Sequence, residues 1–185
     1  MGEKMNSKST LKEKLLPLIL TLIAIITDQI SKAIVVAKIP VFNPFNAENC
    51  IVKVIGNFFR FIHVKNNAIA FSLGSTWPDS VRRAIFAWGT LVLLILVFVY
   101  YFKTTELNKL QRWALCGILG GGIGNLIDRF FRPDGVVDFL DVYFGGFLGF
   151  ERWPTFNIAD SFVVVCGIIF VIALIVDWRK EKNEQ

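Results

Sequence analysis

A chain of 185 residues that is 54% hydrophobic, 14% aromatic and only 19% charged, with a mean hydropathy of +0.55, falls below the roughly 25% charge of soluble domains and reads as one integral membrane domain, 1–185. Its net charge of +5 does not describe a nucleic-acid binder, because the basic residues cluster beside apolar runs and form no continuous stripe. Cys50, Cys116 and Cys166 lack CxxC spacing and His63 is the only histidine, so neither a disulfide framework nor a zinc or iron ligand set is predicted.

The first apolar run, 15–36, meets the length of about 20 helical residues that a bilayer core requires. Lys4, Lys8, Lys12 and Lys14 precede it as they would a cleavable signal. The run is too long for one, however, and it ends in Asp28, Gln29 and Lys32 with no small-residue cleavage site, so it is predicted to remain as a first transmembrane helix. Asp28 and Lys32, at i, i+4, either neutralise each other or orient a substrate. The loop 37–83 alternates over 50–64, placing Val52, Val54, Phe59, Phe61 and His63 on one side of the register, with Gly56-Asn57 as the break. That pattern predicts a small hairpin on the membrane surface or over something greasy, with His63 as a sheet residue.

Further spans are predicted at 84–102, 110–127 and 160–178, leaving 128–159 as a second loop. Gly120, Gly121, Gly122 and Gly124 follow an apolar helix and lack a P-loop lysine, which suits close helix packing and not phosphate binding. The resulting fold is an all-α membrane protein, a four-transmembrane-helix bundle with a small extracytoplasmic β-sheet or loop element. Ten of the twenty Lys and Arg fall in the 31 residues of 1–14, 103–112 and 179–185, against nine in the 80 residues of 37–83 and 128–160. The higher density predicts that both termini are cytoplasmic and both long loops extracytoplasmic.

Six of the fifteen carboxylates lie between Asp128 and Asp160. Asn125 and Asp128 share a helix face at i, i+3, Asp160 starts the last span, and Asp138 sits in an apolar strand or loop between Val136-Val137 and Phe139-Leu140. Two carboxylates in a dry site share a proton with their titrations pushed apart, and such a pair can activate water against a peptide carbonyl. Other readings stand beside this one. Asp160-Ser161 also fits a helix N-cap, Asp128-Arg129 a local ion pair, and Asp134 and Asp141 solvated loop charges. A proton-coupled transporter is the main alternative. A serine peptidase pairing Ser31, Ser72 or Ser161 with Lys32 and a noncatalytic assembly factor are the others.

Five ordered blocks resemble the lipoprotein signal peptidases, or signal peptidase II, the intramembrane aspartic peptidases of bacteria. They are Asp28-Gln29 with Lys32; Asn66 with Ala70-Phe71-Ser72; Gly124-Asn125 with Asp128-Arg129; Val136-Val137-Asp138-Phe139; and Phe156-Asn157 with Ala159-Asp160-Ser161. The resemblance implies that Asp138 and Asp160 are the catalytic pair. It implies that Asn66, Asn125, Asp128, Arg129, Asn157, Asp28 and Lys32 bind substrate or support that pair, without metal or cofactor. The implied substrate is a diacylglyceryl-modified prolipoprotein, cut before its lipid-modified cysteine, with membrane lipid as surroundings and a globomycin-type compound as inhibitor. The implied setting is the bacterial cytoplasmic (inner) membrane, with a monomer whose site faces outward. The family carries glycine two residues after the asparagine matched by Asn66, where this chain has Ala68. The stretch 145–152 matches none of the blocks and is rich in glycine and aromatic residues.

Overall fold

A computed structural model of the chain describes residues 10–66 and 78–183. Lys4, Lys8, Ala68 and Ala70-Phe71-Ser72 lie outside the described residues. Helix α1 (Leu11–Leu15) opens with a reciprocal capping box between Thr10 and Glu13, and Pro17, which lacks a backbone N–H, separates it from α2 (Leu18–Lys38). The break is held from the side. The Tyr101 hydroxyl donates to the Lys14 carbonyl at 2.7 Å, and Lys14 Nζ donates to the Phe102 carbonyl at 2.7 Å. These contacts satisfy backbone groups freed at the break and at the end of α3 (Asp79–Lys103).

Helix α4 (Lys109–Phe131) begins with a capping box between Asn108 and Gln111. Asp177, near the end of α5 (Ile158–Asn183), accepts from both Asn108 and Gln111 at 2.6 and 2.9 Å and so ties the two helices at that end. Among the described residues, three helical stretches are long and apolar enough to cross a membrane: Leu11–Lys38, Ser80–Lys103 and Ile158–Asn183. They correspond to the predicted first, second and fourth spans. The predicted third span, 110–127, is a helix but is not among them. The reason is where it sits. Helix α4 packs against α2, α3 and α5, and 13 of its 23 residues are buried, whereas α5 buries only Ala159, Cys166 and Ala173. A helix surrounded by protein has no need of lipid-facing Leu and Ile, so it can carry Gln111, Arg112, Asn125 and Asp128.

The glycines of α4 make that central position possible. A Cβ on Gly120 would lie 2.6 Å from Ala24 Cβ and 2.8 Å from the Thr21 carbonyl oxygen of α2, and one on Gly124 would lie 2.7 Å from Asp28 Oδ2. Small residues on this face let the backbones approach closely.

Strands β1 (Ile51–Ile55), β2 (Phe59–Asn66) and β3 (Val136–Val142) form an antiparallel sheet in that order. The predicted hairpin is β1–β2, turning at Gly56 with φ 50°. Its simple alternation does not persist. A register shift between Phe61 and Val64 turns Ile62 and His63 inward together, and His63 Nδ1 contacts the Ile39 carbonyl at 3.0 Å. Strand β3 is buried on both faces: Val137, Phe139 and Leu140 pack against Val35 of α2 and Ile39 just beyond its end, with Phe61 and Phe156 around them. The backbone of Phe156 continues the ladder along β3, exchanging bonds with Leu140 at 2.8 and 3.2 Å. Asp141 corrects the sequence reading, for it is 2% exposed and not a solvated charge. Arg60 and Arg152 both engage it at 2.5 Å, which explains why a carboxylate is tolerated inside the sheet. Asp134 is exposed and pairs with Lys65.

Gly120→Ala is expected to destabilise the folded state by about 1–3 kcal/mol through overpacking, while Gly89→Ala, whose Cβ meets nothing within 4 Å, leaves it unchanged or slightly raised. Thermal unfolding of both variants in one detergent checks the contrast.

Candidate active site

The bonds between β3 and the Phe156 backbone bring Asp138 beside the start of α5, where Asp160 projects from the first turn. Asp160 is not the N-cap that the sequence allowed. Asn157 is the cap: its Oδ1 accepts from the Asp160 amide at 2.9 Å, and the Asn157 amide donates to Asp160 Oδ2 at 3.1 Å. That reciprocal box fixes one oxygen of Asp160 and turns the other toward α4.

Three side-chain amides then serve the two carboxylates. Asn157 Nδ2 donates to Asp138 Oδ1 at 2.7 Å. Asn66 Nδ2, at the end of β2, donates to Asp138 Oδ2 at 2.7 Å. Asn125 Nδ2, on α4, donates to Asp160 Oδ1 at 2.7 Å. Asn157, fully buried, therefore bonds to both acids, and its Nδ2 also reaches Asn125 Oδ1 at 3.0 Å.

Beneath this layer lies a dry charge cluster in which Asp28, Lys32 and Asp128 are each 0% exposed. An ammonium has three hydrogens to place. Lys32 Nζ has three acceptors, Asp28 Oδ2 at 2.8 Å, Asp128 Oδ2 at 2.9 Å and Asn125 Oδ1 at 3.0 Å. By claiming the Asn125 oxygen it leaves the Asn125 NH₂ pointing at Asp160. Each carboxylate of the cluster also holds a backbone amide next to one of the paired acids. Asp28 Oδ1 accepts from Ala159 N at 3.0 Å, and Asp128 Oδ2 from Val137 N at 3.2 Å.

The sequence allows Asp128 and Arg129 a local ion pair. Asp128 instead pairs with Lys32 and with Arg132 at 3.0 Å. Arg129 is half-buried, and its charge acts on Asp160, Asp138 and Asp128 together. Two members of the cluster escaped the sequence reading as site residues. Gln29 Nε2 donates to Gly124 O at 3.0 Å and to Asp128 Oδ1 at 3.2 Å, and Arg132 sits at i+4 from Asp128, a spacing that could have identified it. The serine–lysine arrangement does not form among the described residues. Ser31 Oγ donates to the Asp28 carbonyl and Ser161 Oγ to the Asn157 carbonyl, and Lys32 is committed to Asp28, Asp128 and Asn125. Ser72 lies outside the described residues.

Burial pushes the Asp138 carboxyl up from its ordinary 3.8 to about 7. The Asn66 hydrogen bond opposes that rise, the neighbouring Asp160 charge adds to it, and Asn157 and Lys32 oppose it. Near neutral pH the pair can thus hold one proton between two oxygen-rich groups, the condition for acid and base to act side by side. Among the described residues no group of three His, Cys, Asp or Glu could hold a metal ion.

The chain as a whole is similar to known proteins. A family profile described as signal peptidase (SPase) II matches residues 20–176. A lipoprotein signal peptidase of Treponema denticola is 47% identical over 179 residues, covering 97% of this chain and 98% of that one. Its counterpart in Treponema pallidum is 44% identical, covering 93% and 88%. A solved bacterial membrane enzyme superposes with a TM-score of 0.75 at 26% identity, over 92% of this chain and 93% of its own.

Lys32→Met is expected to cost about 3–5 kcal/mol, because it strands Asp28 as an unpaired buried charge and leaves Asp128 with Arg132 alone. The double variant Asp28→Asn/Lys32→Met recovers part of that loss. Equilibrium unfolding of the three proteins checks both statements.

Proposed function

This chain belongs to the signal peptidase II family, and from that premise we propose that it is an aspartic endopeptidase that removes the signal peptide from diacylglyceryl-modified prolipoproteins, with Asp138 and Asp160 as its catalytic pair. The observation that carries the assignment is Asn157, one buried amide residue bonded to both carboxylates. With Asp138 holding the shared proton, Asp160 is the base that takes a proton from an attacking water, while Asp138 hydrogen-bonds the scissile carbonyl as negative charge grows on its oxygen. The new C–O bond forms at that carbonyl carbon. Asp160 then passes its proton to the departing nitrogen as the C–N bond breaks, and the pair again holds one proton.

Asn66, Asn125 and Asn157 set the direction of the two carboxyl groups in this scheme. Asp28, Lys32 and Asp128 fix the backbone on which they stand, and Arg129 supplies positive charge toward the pair. No cofactor is required. A cavity of about 470 Å³ beside Asp160, walled by Val142, Phe144, Trp153, Phe156 and Val165, supports a lipid-bearing substrate. It gives an acyl chain an apolar wall next to the cleaving group. The stretch 145–152 contributes to that wall from behind. Gly145 and Gly146, with φ 67° and 81°, turn the chain back, and Phe147, Phe150, Phe144 and Trp153 pack into one aromatic cluster.

In this reading α4 crosses the membrane with α2, α3 and α5 as a single four-span domain. Both termini are cytoplasmic and the pair faces the outer side of the bacterial cytoplasmic membrane. The Lys and Arg density of the short flanking segments supports that orientation. In this reading the protein acts as a monomer. A transporter would spread its charges through the depth of the bilayer, whereas Asp28, Lys32, Asp128, Asp138 and Asp160 gather in one connected network.

Asp138→Asn and Asp160→Asn are each expected to lower processing of a lipid-modified precursor by at least about 10²-fold, whereas Ser161→Ala stays within a few-fold of wild type. Gel-shift assays with purified protein read this out, and near-normal turnover in either Asn variant would overturn the assignment. Because Asp138 is raised, its proton is present below about pH 7 and lost above it. Turnover is therefore expected to decline as pH rises through that value, as measured by the same assay across a buffer series.

A further inference from the structure

A second cavity of about 470 Å³ opens between the start of α3 and the end of α4, and Arg83, Arg129 and Arg132 all line it. We propose that this cavity binds the phosphate of an anionic membrane phospholipid, gripped by these arginines, with its acyl chains running down the lipid-exposed face of α3. The proposal needs only that the helices lie in a membrane, and it shares Arg129 with the peptidase reading.

The charge balance of the cavity motivates it. Among its described lining residues there is no carboxylate. Arg132 reaches Asp128 through Nε at 3.0 Å, but Asp128 is already shared with Lys32. Arg83 spends Nη1 on the Pro133 carbonyl at 2.6 Å. That bond carries the guanidinium from α3 across to the chain beyond α4, and among the described residues its Nε and Nη2 make no further hydrogen bond. Guanidinium forks match phosphate oxygens two at a time, and Arg83, beside an Arg129 and an Arg132 that are partly met by the carboxylates of the site, makes the opening anion-seeking.

The walls identify the anion as a lipid. Trp88 stacks edge-on against Phe130 with centroids 5.5 Å apart. Both are exposed, and Phe131 is 81% exposed. Aromatic rings beside cations at a helix end mark the headgroup level of a bilayer. Beyond Trp88 along α3, Val92 and Leu96 face outward, a surface for acyl chains and not for water. A soluble phosphate would satisfy the arginines and leave Trp88 and Phe130 wet. A phospholipid satisfies both. The small side chain of Ala84, one turn beyond Ser80, keeps the mouth open.

The test reconstitutes the full chain in nanodiscs of phosphatidylcholine alone and of an equal mixture with phosphatidylglycerol, reading retained lipid by native mass spectrometry and the thermal midpoint. Wild type is expected to retain phosphatidylglycerol preferentially and to unfold at higher temperature in the mixture. Arg83→Gln, and independently Ala84→Leu, which fills the mouth without touching a charge, are each expected to reduce that preference several-fold while matching wild type in pure phosphatidylcholine. Equal retention of the two lipids by wild type would overturn the proposal, as would an undiminished preference in the variants. Reproduction of the thermal shift by inorganic phosphate in phosphatidylcholine discs would overturn it too, by assigning the site to a soluble anion.

Discussion

One fully buried ammonium group inside the bundle, with three acceptors, is the constraint on which the site depends. Lys32 is fully buried and bonded to Asp28, Asp128 and Asn125. An isolated charge in that setting would be driven to neutrality, and a buried pair adds little stability compared with an apolar replacement of the same shape. Its value lies in geometry. Lys32 decides which way the Asn125 amide faces, and through Asp28 and Asp128 it holds the amides of Ala159 and Val137, each one residue before a catalytic candidate. Four elements, α2, α4, β3 and α5, are thereby registered to one nitrogen.

The rest of the architecture protects that arrangement. Gly120 and Gly124 let α4 approach α2 closely enough for Asp28, Lys32 and Asp128 to meet without an intervening gap. The pairing of Phe156 with Leu140 then carries Asn157 and Asp160 to the edge of β3. Asp138 differs from the buried cluster in one respect: its nearest donors are neutral amides and not a cation. Desolvation is left as the dominant influence on it, and the carboxyl keeps its proton far above the usual range.

How much of this the sequence disclosed depends on the type of signal. Long apolar runs are legible because the lipid-facing helices α2, α3 and α5 must be apolar along their length, and three of the four predicted spans follow from that. The predicted third span, α4, has a weaker signal because protein surrounds it, and the partners of its polar residues lie on other elements. Asp138 and Asp160 stood out as carboxylates set against apolar neighbours. Asp141 did not, because a carboxylate that two distant arginines neutralise looks, in sequence, like one exposed to water. The same limit hid the true partners of Asp128: the ion pair to Lys32 spans two helices, and no spacing rule within one helix reveals it. The inward turn of both Ile62 and His63 depends on a register shift in the sheet, which strict alternation cannot express.

The most direct test of the central claim is titration of the Asp138 side-chain carboxyl by carbon-13 NMR in the reconstituted protein, alone and with Asp160→Asn. A shared proton predicts that Asp138 titrates near 7 and moves downward once the Asp160 charge is removed. An Asp138 that titrates as an ordinary aspartate, or one indifferent to the Asp160 substitution, would contradict the account.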